Sequence, residues 1–215
     1  MANTEVEFCG LNFKNPVVVA SIEPTNSPDL IKQCFDAGAG GAIVKTLTDI
    51  EDMAQLTQNS KYAVMNAQGK IIHGKPAKDF VFYSRSGYAS TAYKDWIPYL
   101  KECQAYGAER GAHLIGSVGA KEIGGWRDIS RTIEDCGLPM VELNFGCPHP
   151  AMMPGVHGGS MIGQDPEMAA EVTRQVAEVV DIHALFPPVN VRDLYLVLNT
   201  LVMNSTAWNI SAVDS

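Results

Sequence analysis

Asn144, Cys147 and His149 fall within one nine-residue stretch, VELNFGCPH at 141–149, where a short apolar strand runs into a loop. An amide at a strand end can donate two hydrogen bonds and accept others through its carbonyl oxygen, which suits a ring with alternating C=O and N–H groups. A turn-forming asparagine that bonds its own loop is the competing reading. Cys147 is either an ionisable thiol able to exchange a proton or a small buried hydrophobe. Cys9, Cys34, Cys103 and Cys136 fit the second description. His149 follows Pro148 and either shapes the loop or tunes the thiol.

In a parallel α/β fold, chemistry collects at the C-terminal ends of the strands. The residues that fall there are Ala20 and Ser21, then Lys45 and Thr46, then Ser117, then Asn144 and Cys147. Lys45 closes the run AIVK. It is either a snorkelling surface residue or a fixed cation facing an electron-rich ligand. Thr46 beside it can bond the same ligand. His157-Gly158-Gly159 has no partner at metal-ligand spacing, and no metal site is expected.

Short apolar runs alternating with amphipathic stretches must position these groups. Strands are expected at Val17–Ala20, Ala42–Lys45, Leu114–Val118 and Met140–Asn144. Ser27-Pro28 caps a helix whose apolar face is Leu30, Ile31, Cys34 and Phe35, with Gly38 as its stop. A helix over about 93–107 turns Trp96, Leu100 and Cys103 inward. The next carries Trp126, Ile129, Ile133 and Cys136 and ends at Gly137. Asp165-Pro166-Glu167 opens another, with Met168, Val172, Val176 and Val179 inward. Residues 61–73 read as a small hairpin, YAVM against KIIH around Asn66–Gly69. The alternation predicts a parallel sheet covered by helices, either consecutive units of a (β/α)8 barrel or an open doubly wound sheet. The second would carry a glycine fingerprint after its first strand, and ASIEPTNS at 20–27 has none.

The chain has 215 residues, 46% of them apolar and 19% charged, which is a globular composition. Its net charge of −8 argues against nucleic acid or an anionic membrane surface as the main partner. No run approaches the roughly 18 apolar residues of a membrane span. The opening MANTEVEF is not the pattern of a secretory signal, and the five dispersed cysteines form no CxxC pair, so a cytoplasmic setting is expected. Neither an NAD fingerprint nor an iron–sulfur motif occurs, so a second electron carrier would come from a partner.

The segment Asn144-Phe-Gly-Cys147-Pro148-His149 resembles the N-x-S-C-P-H/N loop of the flavin-dependent dihydropyrimidine and dihydroorotate dehydrogenases. Gly10–Pro16 with Val17–Ser21 resembles that family's opening strand, Ile43–Thr46 its second strand, and Gly163–Glu167 the start of the helix after the loop. The resemblance spans about 5–182 and implies a (β/α)8 barrel with FMN at its C-terminal mouth. It implies that Ala20 and Ser21 approach the flavin through the backbone, that Lys45 and Thr46 contact its ring or ribityl chain, and that Asn144 holds a pyrimidine. It makes Cys147 the acid/base at pyrimidine C5 while a hydride moves between C6 and flavin N5. Cysteine there is the pattern of the cytosolic and pyrimidine-reducing branches; the membrane-associated branch has serine. A homo- or hetero-oligomer with an electron-transfer partner is expected.

The chain also departs from that pattern. Gly146 stands where the family has serine. The stretch FVFYSRSGYAS at 80–90 lies where relatives place a flavin-contacting Asn, and Asn66 and Ser86 are the candidates to replace it. The family's fifth strand ends in a lysine; ALFPPVN at 184–190 has none. The expected organisation is therefore the N-terminal part of a barrel over 1–182 and a divergent or truncated continuation over 183–215, with strands seven and eight missing. A non-catalytic barrel fragment serving as a subunit or interaction module is the alternative.

Overall fold

The computed structural model describes residues 4–76, 78–148, 156 and 158–181. The continuation expected over 183–215, His149 and His157 lie outside the described residues.

The chain opens on a hairpin, β1 (Val6–Phe8) against β2 (Leu11–Phe13). Cys9 and Gly10 make its two-residue turn, with φ of 50° and 71°. Positive φ at both positions matches the twist of the flanking strands. Cys9 is thus a half-buried turn residue rather than a core one, and Cys34 is also half-buried, whereas Cys103 and Cys136 are buried.

β3 (Val18–Val19) then leads into α1 (Pro28–Asp36), β4 (Gly41–Ile43) and α2 (Glu51–Gln58). Ser27 caps α1 by accepting a hydrogen bond from Leu30 N at 3.3 Å, and Pro28 occupies the first turn. Ile31 and Phe35, four residues apart, are buried, while Leu30 turns out to solvent. Burying those two side chains contributes about 2 kcal/mol each. Gly38, at φ +100°, ends the helix in a conformation that costs other residues strain.

β5 (Lys61–Met65) does not pair chiefly with KIIH, as the local pattern suggested. The Asn66–Gly69 turn forms, but only Met65↔Ile71 bridges across it. The main partner is β6 (Val81–Arg85), in register Lys61↔Arg85 through Met65↔Val81. Next come α3 (Ile97–Ala108), β7 (His113–Val118), α4 (Ile123–Asp135), β8 (Val141–Leu143), the short α5 (Ser160–Gly163) and α6 (Pro166–Ala177). Asp165 caps α6 by accepting from Glu167 N and Met168 N at 3.1 and 3.0 Å.

Four strands form one parallel sheet in the order β3-β4-β7-β8, which is their order along the chain. Helices pack in the same sequence, α1 on α3, α3 on α4 and α4 on α6. Right-handed crossovers between successive neighbours place all their helices on one face. A doubly wound sheet would reverse its strand order and cover both faces; among the described residues the parallel sheet is four-stranded and does not close into a barrel. The core between sheet and helices is built from Ile31, Phe35, Leu100, Cys103, Leu114, Ile129, Ile133, Leu143, Val172 and Val176. It leaves the C-terminal strand ends free to carry polar groups.

Candidate functional site

Those strand ends hold a connected polar cluster. Lys45 and Thr46 follow β4 after Val44 and are both buried. Ser21 follows β3, and the turn at Glu23–Thr25 ties its loop to β4, because Lys45 N donates to Thr25 O at 3.0 Å. Ser117 lies in β7 opposite Glu142 in β8, since Ser117↔Glu142 is a register pair. Asn144 comes one residue past β8.

Thr46 Oγ1 is the hub. It lies 3.1 Å from Ser21 Oγ and 3.0 Å from Ser117 Oγ, and it accepts a hydrogen bond from Asn144 Nδ2 at 2.9 Å. Ser21 Oγ also donates to Val44 O at 2.9 Å, and Ser117 Oγ lies 2.8 Å from Glu142 Oε1. Of the two readings of Asn144, the turn former is the one the geometry shows. Its Oδ1 accepts from Gly146 N and Cys147 N at 3.2 and 3.0 Å, an Asx turn that shapes its own loop. Its amide nitrogen faces the strand ends, where one N–H is spent on Thr46 and a second remains.

Lys45 Nζ lies 3.6 Å from Glu23 Oε1, longer than a hydrogen bond. Burial lowers the Lys45 amine below its ordinary value, against the opposing pull of Glu23 and Cys147. Burial works to raise the Glu23 carboxyl, but Lys45, its own backbone and the nearby Ser86 and Ser84 hydroxyls outweigh it and leave it lowered. Attraction across this long pair therefore does not repay the burial of the ammonium, which keeps capacity for an electron-rich ligand. Of the replacement candidates, Ser86 lies against Glu23, close to the site. Asn66 spends its side-chain oxygen on Gln68 N and Lys70 N in its own exposed turn.

Ala20 contributes its carbonyl, which accepts from Ile22 N at 2.9 Å and Thr25 Oγ1 at 3.3 Å. Cys147 is half-buried and its carbonyl accepts from Ser160 N at 2.9 Å, so the start of α5 anchors its loop. Its side chain packs against Ile50, Met53, Tyr88 and Val156.

Tyr88 and Glu142 join the site although no motif marked them. The Tyr88 ring lies on Gly119, where an added Cβ would come within 2.6 Å of it. Its hydroxyl is buried without a conventional hydrogen-bond partner and faces the Cys147 thiol. Burial, then Cys147, raises the phenol well above its ordinary value. An unpaired buried polar group costs about 1–3 kcal/mol. Tyr88→Phe keeps the ring and removes that cost, so the thermal midpoint should hold or rise; a calorimetric loss of stability would mean that the hydroxyl bonds the thiol strongly. Glu142 is 8% exposed, and burial raises its carboxyl to about 7 while the Ser117 contact opposes the rise. A glutamate inside the apolar run Met140–Leu143 was the available signal.

Among the described residues no group of three or more His, Cys, Asp or Glu side chains could hold a metal ion. None of the described helices is long and apolar enough to cross a membrane.

Fold and site together define a mixed α/β protein whose parallel sheet carries a polar cluster with a lysine, an asparagine and a half-buried thiol at its strand ends. Its curated relatives are dihydropyrimidine and dihydroorotate dehydrogenases, in keeping with the resemblance carried by VELNFGCPH. The chain is 24% identical over 171 residues to the NAD-dependent dihydropyrimidine dehydrogenase subunit PreA of Escherichia coli (strain K12), covering 80% of this chain and 38% of that protein. It is 26% identical over 165 residues to the chloroplastic dihydropyrimidine dehydrogenase (NADP(+)) of Arabidopsis thaliana, covering 76% and 37%. Against the catalytic subunit of dihydroorotate dehydrogenase B (NAD(+)) of Exiguobacterium sibiricum it is 27% identical over 180 residues, covering 83% and 51%. The chain therefore spans between about a third and a half of the length of these relatives. No family model matches it. Among solved structures, a 2-naphthoyl-CoA reductase complex superposes with a TM-score of 0.51 at 10% identity, covering 95% of this chain and 39% of that one, which is a likeness of fold.

Proposed function

We propose that this chain is the N-terminal part of a (β/α)8-barrel flavoprotein that oxidises or reduces the CH–CH bond of a dihydropyrimidine or dihydroorotate. The cluster of Ser21, Lys45, Thr46 and Asn144 beside Cys147, at the ends of successive parallel strands, carries the proposal. These residues fit the ring end of FMN: a buried cation whose ion pair is long, an amide with a spare N–H, and short hydroxyl side chains that let a flat ring approach. Lys45 and Thr46 would hold it, with Ala20 and Ser21 lining the approach. FMN, when bound, supplies hydride chemistry at its N5.

The chain's own residues supply orientation and one proton. Asn144 holds the pyrimidine through its remaining N–H, with its position fixed by Thr46 on one side and the Gly146 and Cys147 amides on the other. Cys147 exchanges the proton at C5, a task suited to a thiol whose free pKa is near 8.5. Electrons would pass to or from a partner, in a cytoplasmic homo- or hetero-oligomer, a reading supported by the likeness to a subunit of an NAD-dependent enzyme.

The purified protein is expected to show the two visible absorption bands of a bound flavin, or to develop them on addition of FMN. A second reading, a non-catalytic fragment acting through its surface, draws on β6, which is exposed along its length and presents Val81, Phe82 and Tyr83 to solvent. A folded protein that stays colourless and takes up no added FMN would favour that reading and remove the first.

A further inference from the structure

The polar cluster contains four hydrogen bonds in series: Val44 O to Ser21 Oγ, Ser21 Oγ to Thr46 Oγ1, Thr46 Oγ1 to Ser117 Oγ, and Ser117 Oγ to Glu142 Oε1, at 2.9, 3.1, 3.0 and 2.8 Å. Each bond needs one proton. The three hydroxyls own three, and a carbonyl owns none. The fourth must come from Glu142.

Direction then follows. Val44 O can only accept, so Ser21 donates to it. Ser21 accepts from Thr46, and Thr46 accepts from Ser117. Ser117 has spent its proton and accepts from a protonated carboxyl; with Glu142 ionised it donates to Oε1 instead, and one contact of the chain is left without a proton. Thr46 Oγ1 uses its second lone pair for Asn144 Nδ2, so its one donor and both of its acceptor sites are engaged.

We propose that Glu142 is held as a carboxylic acid in the folded protein and is a positioning residue, its proton fixing the direction of the hydroxyl chain that orients Thr46, Ser21 and Asn144 at the strand ends. Resting on the flavin reading above, this makes Glu142 act on the ligand through Ser117 and Thr46 without touching it.

The surroundings agree. Among the described residues no ion pair reaches Glu142. From β7 the group facing it is the Ser117 hydroxyl. From the loop after β6 it is the Tyr88 phenol, kept neutral by burial, and Cys147 lies beyond that ring. From the end of β4, Lys45 is engaged by Glu23 and Cys147 instead. A buried carboxyl with hydroxyl company and no cation keeps its proton. Loss of that proton leaves three protons for four bonds, so one link opens.

Infrared spectroscopy of the full chain tests the proton directly. At about pH 6, below the range in which the raised carboxyl ionises, a buried protonated carboxyl band is expected, absent from Glu142→Gln and displaced in Ser117→Ala, which removes its acceptor. A merely space-filling glutamate would give no displacement. Folded wild-type protein without the band overturns the proposal, as does a band unmoved by Ser117→Ala. Titration with FMN is read separately. Wild-type affinity should fall roughly five- to tenfold between about pH 6 and about 8.5 as one link opens. Glu142→Gln, whose amide still donates to Ser117, should hold its affinity across that range. Equal pH dependence in both proteins overturns the positioning role. No uptake by either, with the band and its displacement intact, supports the bound proton and overturns the flavin reading alone.

Discussion

Cys147→Ser is expected to slow substrate oxidation by the flavin-loaded protein roughly 10²- to 10⁴-fold, the usual contribution of a positioned acid or base. Its flavin affinity should stay within about tenfold of the wild type, or about 1.4 kcal/mol. Serine is nearly isosteric, and the loop is held by groups the substitution leaves in place. Asn144 Oδ1 accepts from the backbone amides of 146 and 147, and the Cys147 carbonyl accepts from Ser160 N. What changes is proton affinity, because a hydroxyl holds its proton far more tightly than a thiol whose ordinary pKa is near 8.5. The loss should therefore fall on kcat and on kcat/KM alike, the signature of an interaction made in the transition state. Stopped-flow reduction of the flavin by a dihydropyrimidine, at several pH values, measures it. Unchanged rates would remove Cys147 from the chemistry while leaving the strand-end cluster intact as a binding surface.

How much of this was legible beforehand depends on how local each signal is. The helix after β7 was readable because Trp126, Ile129 and Ile133 repeat at i, i+3 and i+7, and all three are buried. Sheet parallelism followed from strand–helix alternation, and the strand ends named Ser21, Lys45, Thr46 and Asn144 before any contact was known. The partner of Lys61–Met65 was not readable. Asn66–Gly69 is a strong turn signal, yet the ladder forms with Val81–Arg85, and that strand is exposed on both faces, so it shows no alternation to announce it. α2 was missed for a similar reason: its N-cap, Ile50, makes no side-chain cap, and only Met53 and Thr57 are buried in it. Asn144 carried two readings, ligand donor and turn former; the fold shows its oxygen spent on the loop, as a turn former requires, and its nitrogen turned to Thr46. Glu142 was overlooked because its meaning depends on β7–β8 register, which sets it opposite Ser117, 25 residues earlier in the chain.

That same glutamate should dominate the pH dependence of stability near neutrality. Its carboxyl is raised by burial to about 7 in the folded chain, against an ordinary value of 4.5. Below the lower value it is protonated folded or unfolded, so its neutral burial is fully tolerated. Between the two, the unfolded chain releases a proton that the folded chain keeps, and stability falls as pH rises; above about 7 the loss levels off. The interval corresponds to about 3 kcal/mol. Glu142→Gln cannot ionise, so denaturant midpoints for the variant should cross those of the wild type and exceed them above neutral pH. Carboxylates whose values are lowered, such as Glu23 and Glu171, act in the opposite sense, since their contribution disappears as the solution is acidified. They are common to both proteins and cancel in the difference between the two curves. Parallel curves from about pH 4 to 9 would show that Glu142 is ionised in the fold, and with it that the four-bond chain lacks its fourth proton. Divergence that builds between pH 4.5 and about 7 and then levels off would tie the protonation of one buried side chain to both the stability of the sheet and the orientation of the polar groups at its strand ends.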